Sequence, residues 1–296
     1  MNAPKHHPTA RGRLLAGLPV TERRIDLAGI STAVLEGGDG PPMVLLHSPA
    51  SHALQWLNVV PALVASHRII VPDLPGHGET VVSEGVVDGK RVLAWLGELI
   101  ERTCPAPPIL VGHALGGAIA ARFAALHSGR IAGLVLVDSM GLAPFRPAPE
   151  FESALMGFLG RPDAASHDRL MEQCAFDLDH VRGIMGARWQ WLVDYNVDRA
   201  RAPGLGPHQQ ALLAEFGFPE IDADTLARIA APTSLIWGRH DLANPVGIGE
   251  SASARYGWPL HVLENAGADP AYEDPQGLAA ALNAAHAART VPAGTT

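Results

Sequence analysis

The 296-residue chain holds only two cysteines, Cys104 and Cys174, far apart and in no C-x-x-C frame. That excludes a disulfide-stapled fold and a thioredoxin-type motif, and it reads as two reduced, inert thiols of a cytoplasmic protein. No apolar run reaches the ~20 residues of a bilayer-spanning helix. The fourteen histidines include no H-E-x-x-H or similar metal spacing, so no metal is expected, and His6 and His7 read as a solvated pair. "LEGGDGPP" is Gly-rich but lacks G-x-G-x-x-G and precedes a strand, and Walker spacing is absent; no cofactor is implied. An excess of basic residues is missing too. A net charge of −8 and a pI near 5.9 argue against nucleic acid or an acidic membrane surface as partner. The basic N-terminus lacks an apolar h-region and an A-x-A site, so residues 1–22 are expected to be a flexible leader and not a signal peptide.

What is present is core. Apolar residues make up 47% of the chain and charged residues 18%, which suits one large globular domain. Short β-branched runs alternate with helical patterns. "RRIDLAGISTAVLEGG" reads as a hairpin, "PMVLLH", "HRIIVPDLPGHG", "PPILVGH" and "IAGLVLVDSM" as strands, and "PTSLIWGRHD" and "PLHVLENAG" as two more. Helices are expected over 52–65, 88–103 and 115–127, and after each of the last two strands. Continuous apolar runs separated by helices predict a mostly parallel sheet covered on both faces, an α/β three-layer sandwich. Residues 141–229 break the alternation with helical patterns only, which reads as an insertion between core segments 23–140 and 230–289. Residues 290–296 form a short tail.

Four segments then resemble the α/β-hydrolase superfamily, in the branch with a helical cap between core strands six and seven. "VLLHSPASHALQW" is similar to the segment after the third strand. "VPDLPGHGET" is similar to D-x-x-G-x-G-x-S, with Thr80 for serine. "VGHALGGAIAARFA" resembles the nucleophile elbow G-x-S-x-G, and "LIWGRHDLANPV" the turn that supplies the acid. The resemblance covers about residues 23–289.

The resemblance implies a nucleophile, an acid and a histidine in that chain order, plus backbone amides for the oxyanion. It places Asp241 at the acid position, Ala114 at the nucleophile position and Ala268, within "GADPAYEDP", at the histidine position. Asp269 reads as an exposed carboxylate near its usual pKa of about 4, a poor base at neutral pH. In the oxyanion region Leu115 supplies one amide, while its partner position is Pro49, which has no N–H; Ala50 is the possible substitute. His47, Ser48, His113 and Ser139 are expected to line the site with His52 and His240 near it, and a Ser48–His52 pair is conceivable. Trp189 and Trp191 read as core or as pocket wall, with Phe145, Phe151, Met156 and Phe158 close in sequence.

The expected function is therefore that of a hydrolase relative with a degenerate triad. It binds a small apolar ligand (ester-, acid- or ketone-like) with little or no ordinary ester hydrolysis. Two alternatives stand beside it: a hydrolase of esterase or C–C type with relocated catalytic groups, and an active hydrolase disabled by substitution at Ala114 and Ala268. The partner is a small molecule, and the chain is a monomer or homodimer.

Overall fold

A computed structural model describes residues 9–287. Among the described residues nine strands form one sheet: β1 (Thr21–Leu27), β2 (Ile30–Gly37), β3 (Pro42–Leu46), β4 (Arg68–Pro72), β5 (Val81–Val82), β6 (Ile109–His113), β7 (Gly133–Val137), β8 (Thr233–Gly238) and β9 (Leu260–Leu263). Their order is β1-β2-β4-β3-β6-β7-β8-β9, with the two-residue β5 paired to β2. The β1–β2, β2–β4 and β2–β5 pairs are antiparallel, and every other pair is parallel.

Strands β3, β6, β7 and β8 are buried at every residue, the signature of parallel strands covered on both faces. Alternation then sorts their side chains into two cores. Val44, Leu46, Leu110, Leu134, Leu136, Leu235 and Trp237 pack with Trp95 and Leu99 of the helix Gly89–Thr103 and with Ile119 and Phe123 of Leu115–His127. Met43, Leu45, Val111, Val135, Val137 and Ile236 pack with Trp56 and Leu63 and with Leu278 and Leu282 of the helix Pro275–Ala287. This is the α/β sandwich.

Residues 10–22 depart from the expected leader. Thr9 caps a helix over Ala10–Leu15 by accepting the Gly12 N–H, and Leu14 is fully buried in the second core. Arg11 is 6% exposed; it donates to Glu22 and to the Tyr195 hydroxyl, and pairs with Asp73 at 3.1 Å. These long-range partners order a segment whose composition alone reads as solvated. His6, His7 and residues 290–296 lie outside the described residues.

Between β7 and β8, the sixth and seventh strands when β5 is not counted, runs a purely helical segment. It comprises Pro149–Gly160, Ala164–Cys174, Leu178–Met185, Arg188–Ala200, Leu205–Leu212 and Ala223–Ala227. Local caps cut it into pieces. Asp163 and Ser166 form a capping box, Asp177 accepts the His180 N–H, and Gly186 ends a helix at φ +52°. Among the described residues no helix is long and apolar enough to cross a membrane.

Candidate ligand cavity at the strand ends

The turn after β6 is set by its glycines. A Cβ at Gly112 would meet the Gly116 carbonyl oxygen at 2.3 Å, and one at Gly116 would meet the Leu46 oxygen at 2.6 Å. The chain therefore turns sharply, and Ala114 sits at φ 46°, ψ −106°, a region that non-glycine residues rarely occupy. Its N–H donates to the Val137 oxygen at 3.0 Å, and its own carbonyl accepts from Ala118 and Met140. Leu115 opens the helix, so its amide belongs to the first turn, whose N–H groups lack intrahelical partners.

The loops after β3, β6, β8 and β9 and the helical segment enclose a cavity of ≈ 690 Å³. Ser48, Pro49, His113, Ala114, Asp241 and Ala268 all line it. Phe145, Phe151, Leu155, Met156 and Phe158 give it an apolar wall. The other expected residues stand elsewhere. His47 is fully buried and stitches backbone, its Nδ1 2.8 Å from the Ser48 carbonyl and its Nε2 accepting the Leu74 N–H. Ser139 donates to the Met140 carbonyl and is covered by the close approach of Gly117. Trp189 packs beside Phe158 and His167, and Trp191 lies under Arg13. His52 bonds Asn196 rather than Ser48, and the exposed His240 stacks on Phe176.

Acidic groups cluster here: Asp241 and Asp269 line the cavity, and Asp138 and Glu273, outside its lining, act on them. Asp241, 4% exposed, accepts the Ala243 and Asn244 N–H groups on Oδ1 at 2.7 and 3.0 Å, while its Oδ2 has no partner. Burial pushes its carboxyl up to about 7; the two backbone N–H bonds oppose this, and the charges of Asp269 and Glu273 add to it. Asp138 accepts the Gly238 N–H on Oδ1, its Oδ2 is also unpartnered, and burial raises it well above the usual carboxylate range. Glu273 accepts the Phe176, Gly267 and Asp269 N–H groups, and burial raises it too.

Asp269 corrects the sequence expectation. It is half-buried in the cavity wall, and desolvation plus the nearby Glu273 push it up to about 7. Gln55, which the sequence reading passed over, ties this region together. Its Oε1 accepts the Ser48 N–H, and its Nε2 lies 2.7 Å from Asp269 Oδ1, 2.9 Å from His113 Nδ1 and 3.0 Å from Ser48 Oγ. Two amide hydrogens face three acceptors, and the carboxylate holds the shortest contact. Burial holds His113 down at about 4, so it is neutral. Its Nε2 lies 3.8 Å from Asp138 Oδ2, beyond hydrogen-bond distance. Cys174 also lines the cavity, but burial and the surrounding carboxylates keep its thiol protonated.

The chemistry available is that of carboxyl groups poised near neutrality beside an apolar chamber. Ser48 Oγ has an amide for a neighbour and not a base. Among the described residues no three of His, Cys, Asp and Glu come together as ligands for a metal ion.

This geometry sits within a known family. Over 223 residues the chain is 28% identical to the pimeloyl-[acyl-carrier protein] methyl ester esterase of Aeromonas hydrophila, covering 73% of this chain and 83% of that one. It is 25% identical over 234 residues to the 2-hydroxy-6-oxo-6-(2'-aminophenyl)hexa-2,4-dienoic acid hydrolase of Metapseudomonas resinovorans, covering 76% of each. The fold matches that of the 2-hydroxy-6-oxo-6-phenylhexa-2,4-dienoate hydrolase of Rhodococcus sp. strain RHA1 with a TM-score of 0.79. That likeness covers 90% of this chain and 99% of the other at 21% identity. The profile of the Alpha/beta hydrolase family spans residues 43–281, and the chain belongs to that family.

Proposed function

We propose that this chain uses the hydrolase scaffold as a receptor for a small, largely apolar ligand, with little or no ordinary ester hydrolysis. One observation carries the reading: three separate loops border one cavity, and each lacks what acyl transfer requires. Ala114 stands at the nucleophile position, Ala268 at the histidine position, and Pro49 at the position of an oxyanion amide. Substitute groups fit poorly. The Cys174 thiol stays protonated, Ser48 has no base beside it, and His113 is engaged by Gln55. The apolar wall suits the body of an ester-, acid- or ketone-like molecule, the chemistry named for the relatives.

A second reading keeps catalysis, through relocated groups. Asp241 and Asp269, both held near 7, favour it, because a carboxyl titrating there can pass protons at neutral pH. Aryl-ester turnover separates the two. The receptor reading expects purified protein to match a denatured control, and robust turnover lost on Asp241→Asn sinks it. Two free cysteines suit a reducing cytoplasm, and a small molecule is the partner proposed for a monomer or homodimer.

A further inference from the structure

The helix Leu205–Leu212 buries Leu205, His208, Gln209 and Leu212, the spacing of an inward-facing stripe. An amide on that stripe needs partners. The other buried polar residues lining the cavity each have one: His113 meets Gln55, His167 meets Asn196, Asn244 donates to the Asp138 carbonyl, and Asp241 accepts two backbone N–H groups. Gln209 is 5% exposed and lines the same cavity, yet its side chain has no hydrogen-bond partner among the described residues. Its amide is nevertheless open. The unpartnered Oδ2 of Asp241 and the unpartnered Nδ1 atoms of His52 and His167 are sealed even from a water molecule, whereas neither amide atom of Gln209 is. A side chain this buried, open where it lines a cavity, presents its amide to that cavity. Past Leu212 the chain winds on as a π-helical turn, Leu213–Gly217, and Leu213 and Phe218 set apolar groups on the same lining.

We propose that Gln209 selects the polar group of the ligand, its Nε2 donating to the neutral carbonyl oxygen of an ester or ketone whose apolar body lies against Phe151, Leu155 and Phe158. The two amide hydrogens are the costlier half of the defect, because buried N–H groups are left orphaned more rarely than carbonyl oxygens. A carbonyl supplies the acceptor and brings no charge. A carboxylate also accepts, but Asp241 and Asp269 already line this cavity, and Arg146, the one Arg or Lys among its described lining residues, is exposed. The inference rests on the receptor reading and narrows its ester-, acid- or ketone-like ligand to the neutral members.

Three probes of similar apolar bulk isolate the polar group: 2-heptanone, 1-chlorohexane and hexanoate, titrated calorimetrically near neutral pH. The ketone is expected to bind tightest, by roughly three- to tenfold over 1-chlorohexane, the range of a neutral hydrogen bond. Its carbonyl stretch should move to lower frequency on binding, read by infrared difference spectroscopy. Gln209→Leu and Gln209→Met keep the bulk and remove the donors. Each should erase both the preference and the frequency shift without weakening 1-chlorohexane, and with two variants the test survives if either fails to fold. Equal binding of ketone and chloroalkane, an unshifted carbonyl band, or a preference that persists in a folded variant overturns the role of Gln209 and leaves the receptor reading standing. Tightest binding by hexanoate overturns the neutral ligand class, again without touching the receptor reading. Absence of binding by all three overturns both.

Discussion

Asp241 and Ala268 line one cavity, and the carboxylate keeps a buried, unpartnered Oδ2 while the alanine offers it no hydrogen-bonding side chain. The loop after β8 presents a hydrogen-bonded acid, held by Ala243 and Asn244, while the loop after β9 presents a methyl group at Ala268. The two loops meet with an oxygen left over.

That leftover oxygen makes stability depend on pH. Burial raises Asp241 from 3.8 to about 7, so between those values the folded chain holds a proton that the unfolded chain has released. Its contribution is therefore complete below about pH 4 and is lost as pH rises through about 7. Asp241→Asn removes the charge but keeps the acceptor. The variant should gain in Tm relative to the parent at about pH 8 and gain less at about pH 4.5. Each kcal/mol recovered corresponds to about 2–4 °C. Scanning calorimetry at the two pH values checks this, and equal shifts at both would contradict it.

Under the proposed site assignment, a serine at 114 and a histidine at 268 should not by themselves make a full enzyme. Ala114→Ser occupies a turn already bent for it, and Ala268→His gives Asp241 a partner. Pro49, at the proposed oxyanion position, has no N–H to offer. The double variant should hydrolyse aryl esters weakly, and adding Pro49→Gly should raise kcat by roughly 10²–10³-fold, the worth of one oxyanion donor. A double variant already at the rate of the triple would show that the loop at 49 imposes no limit.

Gln55 should tune Asp269. Its Nε2 at 2.7 Å favours the charged carboxylate and opposes the effects of burial and Glu273. Gln55→Leu removes that donor, so the Asp269 carboxyl should titrate above its value of about 7 in carboxyl-detected NMR. An unchanged or lower midpoint would mean that the amide contact carries no electrostatic weight.

Much of this fold can be read from the chain. The runs at 42–46, 109–113, 133–137 and 233–238 are continuously apolar because parallel strands bury both faces, and Gly112 and Gly116 mark the tight turn between β6 and its helix. The breaks at Asp163, Asp177 and Gly186 were written there as capping residues, though the apolar pattern runs through them. Asp269 and Gln55 were not legible, because a carboxyl's environment and an amide's three neighbours are made by loops distant in sequence. Trp189 illustrates the same limit. Helical spacing gives it an apolar face without saying whether that face meets the cavity or, as here, Phe158 and His167.

Arg11 is the clearest case of a residue whose weight comes from elsewhere in the chain. Asp73 is fully buried and accepts the Ala53 and Glu79 N–H groups at 2.6 and 2.8 Å, and Arg11 holds its carboxyl below the ordinary range against the cost of burial. A depressed carboxyl stabilises the fold above its unfolded pKa, and that contribution is lost as pH falls through the folded value. Arg11→Ala would strand the charge, which costs about 3–5 kcal/mol for a broken buried pair. It would also remove the donor to the Tyr195 hydroxyl, which would keep its own bond to Glu79, loosening the tie between the N-terminal helix and the helix Arg188–Ala200. Urea unfolding at neutral pH should show that loss, and adding Asp73→Asn should recover part of it, since an uncharged amide needs no cation. A loss below 1 kcal/mol, or one that Asp73→Asn deepens by the full cost of a second independent defect, would mean that the pair does not act as a unit and that the N-terminal helix docks through apolar contacts such as Leu14.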